Sequence, residues 1–175
     1  MPLAVQGTRV RGTWLKHAPP GLPPLPLRTD PPDNRWQRGH VVDAIYLADS
    51  EETVWAEWYR KLAEYGIPPV RDLPRDLWRW RVDVEVADLT TKRRLEAVGL
   101  PAPTPGRRSW PPFQEVGEQL WREGRRGLVA PSAALRAGRV LCLFWDGADE
   151  LEGAEPQGRP VRVEEPPPPP RGLTT

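Results

Sequence analysis

The chain reads as a single compact α+β domain built around one mixed sheet. Three observations carry that reading. Within residues 77–86, apolar and charged side chains alternate from Trp78 to Val86, as in a strand with one buried and one wet face. Apolar runs of strand length at 44–48, 128–130 and 140–144 interleave irregularly with segments of helical spacing. No glycine-rich fingerprint follows a strand, which argues against a doubly wound dinucleotide-binding sheet.

In chain order, residues 8–15 form an opening strand. Pro19, Pro20, Pro23, Pro24, Pro26, Pro31 and Pro32 then forbid any regular ladder and predict an extended, stiff loop. Its hexamer Pro23 to Arg28 has the form of a polyproline ligand, but a stiff loop packed on the domain explains it as well. The strand 44–48 runs into a helix reaching about Tyr65, with Asp49 as N-cap, Glu52 closing a capping box and Gly66 followed by Pro68 and Pro69 as the stop. Glu57 lies two turns along that helix, on roughly the face of Ser50, Thr53 and Val54 and flanked by Trp55 and Trp58. A carboxylate so placed is either a solvated helix residue or a group held for chemistry.

Along the strand 77–86, Trp78, Trp80, Val82, Val84 and Val86 share the buried face. Asp88 or Thr90 caps a short helix ending at Gly99, and Phe113, Val116, Leu120 and Trp121 form the core face of a later helix closed by Gly124. The runs at 128–130 and 140–144 belong in one sheet, joined by a turn containing Pro131, Ser132 and Gly138. From Asp146 onward Glu, Gly and Pro dominate. The expected division is a domain over 1–146 and a mobile tail over 147–175.

Composition removes several classes of function. Lys and Arg number 25 against 24 Asp and Glu, and a net charge of +1 supplies no broad field for nucleic acid or an anionic membrane. Cys142 is the single cysteine, which excludes an internal disulfide and suits a reducing cytosol. No segment of signal-peptide type and no apolar run of the ~20 residues needed to span a bilayer is present, so a soluble cytoplasmic protein is expected. His17, His40 and Cys142 have neither metal-ligand nor triad spacing, and no metal is expected. Nine Trp in so small a chain make a large apolar surface available, part of which could serve an interface.

One set of motifs points further: Arg35-Trp36, Tyr46-Leu47-Ala48, Ala56-Glu57, the run 127–133 with Ser132, and the run 140–144. With the strand 82–90 and the helix start at 113–117, these residues resemble, in order and spacing, the RES domain family, named for an Arg, a Glu and a Ser. The resemblance covers about residues 7–146. It implies a fold related to ADP-ribosyltransferase-like proteins, NAD as a substrate, and service as the toxin of a toxin–antitoxin pair with a separate antitoxin protein. The implied reaction splits nicotinamide from ADP-ribose with transfer to phosphate or water. The alternatives are ADP-ribosyl transfer to a protein and a non-catalytic domain that binds a partner through its Pro- and Trp-rich surface.

By that resemblance Glu57 meets positive charge at the anomeric carbon, Arg35 binds phosphate, Tyr46 stacks on nicotinamide, and Ser132 hydrogen-bonds the cofactor. Arg11 is a further cofactor-binding candidate on the first strand, with Arg9 competing for the same alignment. Taken singly, Arg35 reads as a cation packed on an indole, Tyr46 as a core aromatic and Ser132 as a turn hydroxyl. Their joint order favours the functional reading. Asp33-Asn34 before Arg35-Trp36 and Gln37-Arg38 after it depart from the family's usual residues.

Overall fold

The computed structural model describes residues 1–175. Its strands are β1 (Gly7–Ala18), β2 (Asp43–Ala48), β3 (Arg75–Asp88), β4 (Gly127–Pro131), β5 (Arg139–Trp145) and β6 (Ala154–Val163); its helices are α1 (Glu51–Tyr65), α2 (Lys92–Ala97) and α3 (Trp110–Arg122). The sheet order is β1-β2-β5-β4-β3-β6, and β1 also pairs with β3. Five strands therefore close into a ring, sealed between β1 and β2 by one register pair, Leu15 with Ala48. Closure hides edges that would otherwise invite pairing with another chain. Only β3 and β4 run parallel. The long β3 makes this possible: one edge takes β1 from Asp76 to Ala87, and the other takes β6 over Arg75–Val82 and then β4 at Ala87 and Asp88.

Central strands are apolar at successive positions because both of their faces are covered. Ile45, Leu47, Val129, Leu141 and Leu143 join Trp14, Trp80, Val82, Val84 and Val86 in one cluster. The intervening Ala44, Leu128, Ala130, Cys142 and Phe144 pack with Trp36, Phe113, Val116 and Leu120 in another, between the sheet and α3. A third cluster seats α1 through Val54, Trp55, Trp58 and Leu62 against Leu15, Ala48 and Leu77. Cys142 is fully buried, and burial pushes its thiol up to about 12.

Several expectations need correction. Helix α1 is capped by Ser50, whose hydroxyl accepts from Thr53 N at 3.1 Å, while Asp49 accepts from the Thr53 hydroxyl at 2.8 Å. The two oxygens compete for one helix end, and the residue adjoining the first turn takes the backbone amide. Thr91 caps α2, because Asp88 is occupied by the amide and hydroxyl of Thr90. Trp121 is exposed, lying past the edge of the apolar face of α3, and Trp78 is only partly buried beside an irregularity between Leu77 and Arg79. The segment expected to be a mobile tail contains β6, which finds its partners in the free edge of β3 without contributing much apolar surface. Further on, the Pro167 carbonyl accepts from the Tyr59 hydroxyl, and Thr174 N donates to Ala134 O at 2.8 Å.

Candidate functional site

Arg35 is positioned by the way its loop is tied to α3. Glu118, fully buried on α3, accepts from Arg38 N at 3.0 Å and from the Arg38 guanidinium at 2.6 and 2.7 Å. Gln114 Nε2 donates to Asn34 O at 2.9 Å. Between them stands Gly117, where a Cβ would collide with the carbonyl of Trp36, so the loop and helix approach more closely than any side chain permits. Thus held, Arg35 lies over the Phe113 ring at 5.2 Å and donates to Thr104 O at 2.6 Å and Ser109 Oγ at 3.1 Å. Burial, aided by repulsion from Arg60, lowers its guanidinium to about 10, still charged at neutral pH.

Of the four residues that depart from the family's usual pattern, the two that follow Arg35-Trp36 are both used internally. Arg38 makes the Glu118 contact just described. Gln37, fully buried, donates to Pro32 O and accepts from the Tyr46 hydroxyl at 2.7 Å. That hydroxyl also accepts from Trp36 N at 3.2 Å, and burial raises its pKa well above the usual phenol range. Tyr46 is thereby fixed to the Arg35 loop by its polar end, leaving its half-buried ring at the wall of a cleft.

Glu57 is gripped at both oxygens. Oε1 accepts from Ser132 Oγ at 2.6 Å, and Oε2 accepts from Arg60 Nε at 2.9 Å. Ser132 can offer its proton in that direction because its own oxygen accepts from Ala134 N and Leu135 N, each at 3.0 Å, in the turn after β4. Gly138 lets this turn reach α1, since a Cβ there would strike the Thr53 side chain. Arg60 is in turn shared with Glu64 one turn on. An ionised carboxylate held this way keeps lone pairs free for a third partner and cannot rotate away from it.

Arg35, Tyr46, Glu57 and Arg60 all line one cleft of about 580 Å³, walled by the end of β1, the Pro-rich loop, β2 and α1. Ser132 stands behind Glu57, between the lining residues Pro131 and Ala133. Arg11 is not brought there: it lies exposed on β1 and pairs with Asp83 at 3.1 Å, as Arg9 does at 2.6 Å. The cleft contains six cations, Lys16, Arg28, Arg35, Arg60, Lys61 and Arg75, and a single carboxylate, Glu57. A chain with net charge of only +1 thus concentrates positive potential in one place. Sequence reasoning missed five of these cations; Arg60, three residues after Glu57 on the same helix face, was open to detection by spacing. A larger cavity of about 1170 Å³ lies beyond the Pro-rich loop, lined also by Trp145 and residues 147–151, and contains neither Arg35, Tyr46 nor Glu57. No group of three or more His, Cys, Asp or Glu residues gathers as a metal site.

The family described as the RES domain matches residues 8–164, a span that includes β6. Among solved structures, a chain of the M. tuberculosis MbcT–MbcA toxin–antitoxin complex is similar with a TM-score of 0.72 at 22% identity, over 90% of this chain and 87% of that one. It shares the fold. No curated protein matches.

Proposed function

The chain belongs to the RES domain family, and we propose that it is an NAD-degrading enzyme serving as the toxin of a toxin–antitoxin pair. The observation that carries this reading is Glu57, fixed at both oxygens in a cleft whose other charges are all positive. NAD presents a diphosphate and a glycosidic bond to a cationic leaving ring. Breaking that bond leaves nicotinamide neutral and places positive charge on the ribose. A fixed carboxylate stabilises that centre without reorganising as charge develops. Arg35 offers guanidinium hydrogens to phosphate oxygens, and the Tyr46 ring offers a flat wall for nicotinamide. Phosphate or water then bonds to the anomeric carbon and gives up a proton.

The similarity to a structure of a toxin–antitoxin complex supports a separate antitoxin protein as partner. No helix is long and apolar enough to cross a membrane, which agrees with a cytoplasmic pair. The relation to ADP-ribosyltransferase-like folds belongs to the same proposal. The test is to incubate purified protein with NAD, with and without phosphate, and identify the products. Nicotinamide should appear together with ADP-ribose or its 1-phosphate. Intact NAD after prolonged incubation would leave a non-catalytic domain.

A further inference from the structure

Residues 165–175 lie past the family match, which ends at 164, and none of them lines the cleft. They nevertheless touch both elements that meet at Glu57. Five successive prolines, Pro166 to Pro170, fix the first half as a polyproline helix of three residues per turn. Pro167 and Pro170, one turn apart, are its half-buried members. Such a helix makes no internal hydrogen bonds, which leaves the Pro167 carbonyl to accept from the Tyr59 hydroxyl of α1. A turn at Arg171 and Gly172 then brings in Leu173, which packs on Ala56, the residue before Glu57, and on Ala134 and Leu135, which follow Ser132.

The turn's own bonds, Ser132 N to Gly138 O at 2.8 Å and Gly138 N to Leu135 O at 2.9 Å, close its ends and leave the Ala134 carbonyl to an outside donor. Thr174 N is that donor, at 2.8 Å, and Leu135 and Leu173 form an antiparallel bridge beside it. The Ala134 carbonyl and the Leu135 amide belong to one planar peptide, so holding the carbonyl orients the N–H. That N–H donates to Ser132 Oγ at 3.0 Å, which directs the hydroxyl proton to Glu57 Oε1 at 2.6 Å. We propose that Leu173 and Thr174 are positioning residues for the Glu57 carboxylate, acting through the Ala134–Leu135 peptide and the Ser132 hydroxyl. Their part in turnover rests on the function proposed above; their hold on the turn does not.

Amide hydrogen exchange on the full chain, followed by NMR, reads that hold directly. With Leu173→Asn the Ala134 and Leu135 amides should exchange at least about tenfold faster while those of β5 keep wild-type rates. Thr174→Pro removes the single donor at an exposed position, leaves Leu173 in place and should act in the same direction. Leu173→Met, which conserves volume, should exchange as wild type does. In steady-state kinetics Leu173→Asn should lower kcat for NAD about tenfold with KM within about twofold, and should add nothing in a Ser132→Ala background. Unchanged exchange in both variants, wild-type kcat in Leu173→Asn, or an equal loss of kcat in the Ser132→Ala background overturns the assignment. So does a raised KM at unchanged kcat, the result of direct contact with substrate. A wild type whose turn is protected through Leu173 but which releases no nicotinamide counts against the function and leaves the hold on the turn standing.

Discussion

At the scale of single residues, Ser132 differs most from its expectation. The sequence places it in a turn after a strand, and the turn is there; that its proton is committed to Glu57 follows from a contact between residues 75 positions apart, which no local pattern shows. Ser132→Ala should therefore reduce kcat for NAD by about 10- to 100-fold with a smaller change in KM, because it frees a carboxylate needed most in the transition state. Steady-state kinetics separate this from direct substrate contact, which would raise KM. Lys16 gives a second prediction. Its folded pKa of about 8 against an ordinary 10.5 means that the unfolded chain binds more protons between those values, so this residue makes stability rise with pH across that window. Below it the charged ammonium opposes folding. Lys16→Met should raise Tm at pH 7 by about 2–4 °C, as for a gain near 1 kcal/mol in a chain of this size, and flatten the rise above pH 8. Thermal denaturation at pH 7 and pH 10 checks both.

At the scale of elements, strands and helices were legible wherever periodicity was strong: the alternation at 77–86 lies within β3, and Gly66 does end α1 in the left-handed conformation, at φ 64°. What escaped was how one element holds another. Glu118 looks like any helix carboxylate until Arg38 is seen on it, and Gly117 like an ordinary helix glycine until the Trp36 carbonyl is seen against it. Gly117→Ala should push α3 away from the Arg35 loop, costing about 1–3 kcal/mol of stability as overpacking does and weakening NAD binding through displaced Arg35. Denaturant titration and a binding titration measure the two effects. Normal NAD affinity in a folded Gly117→Ala protein would show that the loop adapts.

At the scale of the whole molecule, the ring of strands and its C-terminal segment behave as one structure. The composition of residues 147–175 hides β6, because an edge strand needs backbone partners more than apolar side chains, and those partners lie some 80 positions earlier in β3. Deleting 152–175 should expose the β3 edge and remove the contacts at Tyr59 and Ala134 behind the Ser132 turn, lowering Tm and favouring aggregation. Light scattering and calorimetry on the truncated chain would show it; an unchanged Tm would mean that the segment contributes nothing. The ring matters for function because it sets β2, β5 and the turn after β4 against α1, which brings Ser132 to Glu57. The central claim is that this carboxylate, and not the cleft's affinity, breaks the glycosidic bond. Nicotinamide release from NAD by Glu57→Gln, measured beside its NAD affinity, tests it most directly. Release should fall by about a thousandfold or more while binding stays within a few-fold of wild type, as for loss of a preorganised charge; release at the wild-type rate would contradict the account.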